Sequence, residues 1–376
     1  SAATVNMVLG LRRLQRQKVA IRRVYSLESL SAVEVIGFDK TGTLTRSRIN
    51  VQQIEMAGKT IRLEQRAFWI GPRRFVPHDD PDFRRLLQVC ALCTESRVID
   101  KGDVGGRRIS GSPTEVAFLH LTLLAGLDLP SQERRHRLQK VQHRGDRDRI
   151  MMTIHTAPGG RFMISVKGDP AEIMERCGWE LRGGQRIKLS EAARGTIESR
   201  NQQMAGRALR VLGFAYRTAT AIPDDPTQVG TLTWIGLVGM AEPIRQGVVS
   251  LMATLQKASI RPVMITGDQS ATAEGVARQI GLAAGSDIKI VDSSRLDALT
   301  PELASALIRD VTVFARVNPA QKLQIIQAYQ RQGKVVAMTG DGINDGPALR
   351  AADIGIAMGL SGTDAAREVA DMVLER

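Results

Sequence analysis

Apolar and polar positions follow two different periods along this chain, and the changes of period outline its elements. Val33, Val35, Ile36 and Phe38 make a short β-branched run that predicts a buried strand, after which Asp39-Lys40-Thr41-Gly42-Thr43-Leu44-Thr45 turns on a glycine. Thr231 to Met240 returns to near-continuous apolar β character. Beyond it the pattern is regular: helix 244–257, strand Pro262 to Ile265, helix 270–281, strand Ile288 to Val291, helix 301–309, strand Val311 to Ala315, helix 319–332, strand Val335 to Met338, helix 344–351 and strand Ile354 to Ala357. Such alternation predicts an α/β fold with a doubly wound parallel sheet, to which the Asp39 strand also belongs.

Between about 49 and 230 the rhythm is different. Residues 49–70 alternate weakly, 83–96 and 113–127 have helical period, and 128–150 is charged and reads as a loop region. Ser112-Pro113-Thr114-Glu115 is a helix-start signal. Ile150 to His155 and Arg161 to Lys167 predict a hairpin across Pro158-Gly159-Gly160, ended by Lys167-Gly168-Asp169-Pro170, after which Ala171 to Cys177 begins a helix. A helix over Leu189 to Ala205 and a strand over Ala208 to Tyr216 follow. Residues 49–230 are therefore expected to form an α+β domain inserted into a discontinuous α/β domain of 31–48 and 231–376. Residues 1–30 read as a basic helix with Arg12, Arg13, Arg16, Lys18, Arg22 and Arg23, then a short segment from Val24 to Leu30.

Composition narrows the class. With 376 residues, 43% hydrophobic and 24% charged, the chain has ordinary globular composition and room for two or three domains. Its longest apolar stretch is far short of the ~20 residues of a membrane helix. The net charge of +13 is uneven: residues 231–376 carry 14 Lys and Arg against 15 Asp and Glu, so the surplus lies in 1–230. Aromatic content is only 4% and no nucleic-acid-binding motif is present, so nucleic acid is not an expected partner. Cys90, Cys93 and Cys177 form no disulfide framework, and the helical flanks of Cys90-Ala-Leu-Cys93 favour a buried structural pair.

The candidate chemistry sits at predicted strand ends, where open α/β sheets bind ligands. Asp39 alone is compatible with a plain turn. Three partners change that. Thr266-Gly267-Asp268 offers a hydroxyl and a glycine amide to a phosphoryl oxygen. Pro319-Ala320-Gln321-Lys322 opens a helix with a charge-neutralising lysine, and Thr339-Gly340-Asp341-Gly342-Ile343-Asn344-Asp345 supplies oxygens suited to octahedral magnesium.

With these motifs in place the chain resembles the P-type cation-transporting ATPases, class II and calcium-pump-like. The resemblance rests on Asp39 to Thr45, Lys167-Gly168, Thr266-Gly-Asp268 and Gly340-Asp-Gly-Ile-Asn-Asp-Gly-Pro-Ala-Leu349, and it covers essentially the whole chain. It implies a large cytoplasmic loop: a haloacid-dehalogenase-like phosphorylation domain and an inserted nucleotide-binding domain, with residues 1–30 as a stalk beside the membrane. The pump's membrane helices and actuator domain, and the site of the transported cation, would lie elsewhere.

By the same resemblance, Asp39 is the nucleophile that takes the γ-phosphate of ATP. Lys40, Thr41, Thr266, Gly267, Asp268, Lys322 and Asn344 complete the catalytic set, and Asp39, Thr41, Asp341 and Asp345 are the magnesium set. Glu115, Lys167, Gly168, Arg210, Glu242, Arg245 and Arg316 are the nucleotide set. Thr41 stands where related phosphatases carry a second aspartate, so the aspartyl-phosphate is expected to persist. Other departures touch the nucleotide pocket. The stretch from Gln142 to Met151 lacks the usual aromatic and leaves His143 or an arginine to replace it, Ser112 replaces an Asp, and Glu242 stands where Asp is typical. The rival readings are a haloacid-dehalogenase-type phosphatase, against which Thr41 and the large insertion argue, and a non-catalytic module binding anions or membrane.

Overall fold

The computed structural model describes residues 10–46, 48–100, 107–145, 149–223, 230–283, 287–295, 306–359 and 362–375. They fall into two compact units, Ser1–Ser47 with Glu242–Arg376, and Arg48–Ala241.

The first unit is an eight-stranded sheet. Its order is Val19–Ile21, Met372–Leu374, Ile354–Met358, Val336–Gly340, Val35–Asp39, Arg261–Ile265, Val313–Ala315, Ile290–Asp292. All neighbours are parallel except the edge pair Val19–Ile21 and Met372–Leu374. Helices such as Val248–Lys257, Ser270–Gln279 and Pro319–Arg331 connect the strands, giving the doubly wound, haloacid-dehalogenase-like arrangement. Val35, Val263, Ile265, Phe314, Ile325, Ile326, Val336 and Met338 form its core. The Asp39 strand lies between Arg261–Ile265 and Val336–Gly340, so Asp39, Thr266 and Asp341 leave the carboxyl ends of three adjacent strands.

The second unit is an eleven-stranded sheet built on antiparallel pairs, with helices Pro81–Leu92 and Pro113–Leu124 packed against it. Phe83, Leu86, Leu87, Cys90, Phe118, Met151 and Phe214 fill that core, and the rings of Phe118 and Phe214 meet edge to face at 5.1 Å. Such a pair adds about 1 kcal/mol beyond its buried area. All three cysteines are buried and unbonded, and burial raises their thiol pKa values, as suits packing residues.

Several expectations are corrected. Strand Leu232–Ala241, assigned by sequence to the parallel sheet, pairs instead with Arg210–Ala219, Asn50–Met56 and Cys177–Arg182 in the second unit. Burial on both faces makes its continuous apolar run suitable for the middle of either sheet. The region 128–150 is not all loop: Leu129–Arg135 is a helix capped by Asp128, and Leu138–Gln142 is an edge strand. The helix after Pro170 stops at Glu175, and the hairpin Cys177–Arg182 with Gln185–Lys188 follows it. Helix 244–257 starts only at Val248, because Gly247 takes a left-handed φ of 89°. In place of a helix over 344–351, a turn at Ile343–Asp345 precedes helix Gly346–Ala351.

The basic segment is not a single helix either. Residues 10–16 are helical, Lys18 turns with a φ of 60°, and Val19–Ile21 joins the sheet edge. Residues 1–9 of that segment, 146–148 of the stretch lacking an aromatic, and 301–305 of the expected helix 301–309 lie outside the described residues.

Candidate active site

Asp39 ends its strand in extended conformation, and Lys40–Leu44 then winds into a tight turn. Gly42 has a φ of 75°, a conformation that L side chains rarely adopt. A Cβ there would also fall 1.5 Å from Oδ2 of Asp341, so glycine lets the turn meet the neighbouring strand end. Arg245 braces the turn from outside. Its Nη2 donates to the Gly42 carbonyl at 2.6 Å and its Nε to the Thr45 carbonyl at 3.2 Å.

Lys322 is set in the first turn of Pro319–Arg331, a helix started by an Asn318–Gln321 capping box. Its buried Nζ lies 2.5 Å from Asp39 Oδ1 and 2.5 Å from Asp345 Oδ1. Asp345 Oδ2 accepts the backbone N–H groups of Asp341 (3.2 Å) and Gly342 (3.1 Å). A Cβ at residue 340 would meet the Asp345 side chain at 2.5 Å, so Gly340 too is there to admit a close neighbour.

Lys322 pairs with two carboxylates, and a third, Asp341, adjoins them. Ligand oxygens of Asp39, Asp341 and Asp345 lie within 4.8 Å of one another. Burial pushes Asp39 up to about 7 against the pull of Lys322, with Asp345 and Asp341 adding to the rise. Burial and then the charge of Asp345 push Asp341 up to about 6. Burial would lower Lys322, but Asp39 and Asp345 raise it above its ordinary value. Unneutralised negative charge crowded among hard oxygen donors fits a small divalent cation such as magnesium.

Lys40 is buried beside this group with its Nζ 2.6 Å from Asp268 Oδ2 and 3.4 Å from Glu242 Oε2. Burial would lower its pKa, but Asp268 and Glu242 hold it above the usual value. Thr45 Oγ1 donates to Glu242 Oε2 at 2.6 Å. Thr266 is buried at the adjoining strand end, where its Oγ1 accepts the Asp268 N–H at 3.1 Å. Thr41, Gly267 and Asn344 are exposed. Arg316, with a φ of 54°, donates its backbone N–H to the Asp268 carbonyl, and its guanidinium lies 3.6 Å from Asp292.

The second unit gathers another set. Lys167 Nζ donates to Glu115 Oε1 at 2.7 Å, and both side chains are buried. Glu115 also accepts from the Glu95 N–H and the Ser96 hydroxyl, while its own N–H is capped by Ser112. Gly168 is required sterically, because a Cβ would stand 2.5 Å from the Arg149 carbonyl oxygen. Arg210 opens its strand exposed and makes no side-chain hydrogen bond or ion pair among the described residues. His143, named as a replacement for the missing aromatic, is exposed and pairs with Glu95 at 2.6 Å.

Thus one unit brings together Asp39, Lys40, Thr266, Asp268, Lys322, Asp341 and Asp345, and the other Glu115 and Lys167. Glu242 and Arg245, grouped by sequence with the nucleotide residues, make contacts with the Asp39 turn. Sequence reasoning quoted Thr45 in its motif without the role of partner to Glu242, and missed Glu95 and Ser96, which no local signal marks.

Comparison with known proteins gives two overlapping family matches. The family profile for P-type ATPase, cytoplasmic domain N, matches residues 82–247, and that for haloacid dehalogenase-like hydrolase matches 169–353. The chain is 35% identical to a calcium-transporting ATPase of Bacillus subtilis, over 99% of this chain and 42% of that protein. It is 35% identical to the cation-transporting ATPase pma1 of Synechocystis, over 100% and 42%. With the bovine calcium-transporting ATPase type 2C member 1 the identity is 32%, over 99% and 38%. The chain spans about two fifths of the length of these curated relatives. No helix among the described residues is long and apolar enough to cross a membrane.

Proposed function

We propose that this chain, which belongs to the P-type ATPase family, is the ATP-binding, autophosphorylating unit of a cation pump. The observation that carries the reading is the buried Asp39 carboxylate at the end of the central strand, held by Lys322 and adjoining Asp341. Asp39 attacks the γ-phosphorus of ATP in line; its Oδ–P bond forms as the bond to ADP breaks, leaving an aspartyl-phosphate. Lys322 and the hydroxyl of Thr266 stand where phosphoryl oxygens develop charge. Lys40, tied to Asp268 and Glu242, holds the turn that carries the nucleophile.

Asp39, Asp341 and the Thr41 carbonyl would hold magnesium. Asp345 orients this group, because its oxygens already accept from Lys322 and two backbone N–H groups. Magnesium, when bound, supplies the neutralising charge that phosphoryl transfer requires. Thr41 offers no carboxyl to activate water, which favours a long-lived phosphoenzyme. Glu115, Lys167, Gly168 and Arg210 are the nucleotide residues, and Arg210, which has no side-chain partner among the described residues, suits a phosphate. The curated relatives named as calcium-transporting support calcium as the cation. Its ligands, the membrane helices and the actuator domain belong to parts of a pump beyond this chain, which would work at the cytoplasmic face of a membrane.

The test is incubation with γ-labelled ATP and magnesium followed by acid quench. Hydroxylamine-labile label in the wild type, absent from Asp39→Asn, is the expected result. Equal labelling of the variant would overturn the nucleophile assignment.

A further inference from the structure

His155 lies on strand Ile150–Ala157 of the second unit and is only 5% exposed, yet its Nδ1 has no hydrogen-bond partner among the described residues. Native interiors leave few polar atoms in that condition. The neighbouring His136 is fully engaged. Its Nδ1–H donates to the Thr156 carbonyl at 2.8 Å, and its Nε2 lies 2.9 Å from Gln88 Nε2.

Both rings line a cavity of about 420 Å³, a size typical of small-molecule sites. Leu92 and Leu129, from two helices, and Val141, from the edge strand, give it apolar walls. The carboxylates and guanidinium groups on its lining belong to Glu95, Arg97, Glu133 and Arg137, and all four residues are exposed. Burial, and then His136, keep the His155 ring neutral, with a pKa of about 4. Among the described residues Glu115 and Lys167 do not line the cavity, although Glu95 and Ser96 of its wall both donate to Glu115.

We propose that this cavity binds a small uncharged nitrogen heterocycle, at a site separate from the nucleotide residues, with His155 Nδ1 recognising the edge of its ring. A neutral imidazole nitrogen donates or accepts according to its tautomer. A ring that carries both an N–H and a bare nitrogen satisfies it in either state. The rest of such a molecule is apolar and matches the leucine and valine walls, and its rigidity keeps the entropy lost on binding small. An anion would lose its hydration with no buried cation to replace it, and a hydrocarbon would leave Nδ1 unpaired. The site goes beyond the pump reading and does not rest on phosphoryl transfer, so failure to label and failure to bind a heterocycle are separate results.

Calorimetric titration of the 376-residue chain with benzimidazole at pH 8, where probe and His155 are both neutral, tests it. Benzimidazole is expected to bind with a Kd of about 1 mM or tighter. Indene, of similar shape without nitrogen, is expected to bind at least about tenfold more weakly. His155→Phe should weaken benzimidazole about tenfold and leave indene unchanged. Leu138→Trp, at a lining position that is 54% exposed and so tolerant of a larger side chain, should weaken both probes. Saturating ATP with magnesium should leave benzimidazole affinity within about twofold. Equal affinity for the two probes, unchanged benzimidazole affinity in both variants, or no binding at all, as when a buried water alone satisfies Nδ1, overturns the inference. Mutual exclusion with ATP also overturns it, because the cavity would then belong to the base of the nucleotide.

Discussion

Gly42 and Asp341 are fitted to each other: a Cβ on residue 42 would stand 1.5 Å from Oδ2 of Asp341, and the φ of 75° at residue 42 is itself one that only glycine takes freely. Gly42→Ala therefore costs about 1 kcal/mol in backbone strain and displaces the carboxylate as well. The magnesium concentration for half-maximal phosphorylation is expected to rise about tenfold or more. Titration of labelling against magnesium measures it, and an unchanged midpoint contradicts it.

Lys322 bridges Asp39 and Asp345, with its Nζ 2.5 Å from a carboxylate oxygen of each. Lys322→Met leaves two buried carboxylates facing each other, which costs about 3 kcal/mol in urea unfolding of the magnesium-free protein. Phosphoenzyme is expected to fall at least about 100-fold, since charge on the transferring group loses its partner. Normal labelling with Met at 322 refutes the role.

In the second unit, Glu115 and Lys167 form a buried pair at 2.7 Å. Removing either side, by Glu115→Gln or Lys167→Met, is expected to cost about 3 kcal/mol, and the double substitution is expected to recover much of that loss. The double variant should nonetheless lose the rise in melting temperature that ATP is expected to give the wild type. Strictly additive losses would show that the pair is not coupled.

His155 is buried, and its Nδ1 has no hydrogen-bond partner among the described residues. It lines a cavity of about 420 Å³ with Leu92, Val141 and His136. Burial, and then the nearby His136, push its pKa down to about 4 from 6.5. The unfolded chain binds this proton near pH 6.5 and the folded ring only near 4, so stability is full above the window. It falls by up to about 3 kcal/mol as the pH drops through it. His155→Phe should flatten the decline, read from denaturant midpoints at pH 7, 5.5 and 4. A parallel decline in the variant assigns the effect to other groups.

Much of the first unit is legible locally. Short β-branched runs separated by helical periods lead to one parallel sheet, and a polar residue directly after such a run must emerge at its carboxyl end. That is why Asp39, Thr266 and Asp341 could be named together before any contact was known. The second unit is less legible because its strands are antiparallel and variably buried. Leu138–Gln142, exposed along its first residues at the sheet edge, shows no apolar run to find.

What sequence alone determined, then, is chemistry at strand ends: an aspartate, a glycine turn, a lysine in the first turn of a helix, and a second acidic loop. What only the tertiary structure decided is partnership. Glu242 and Arg245 hold the Asp39 turn some 200 residues away, Glu115 finds Lys167, and Leu232–Ala241 joins the second sheet. Periodicity reports how a segment is buried, whereas the partner that buries it is chosen by packing across the whole chain, which no local spacing encodes.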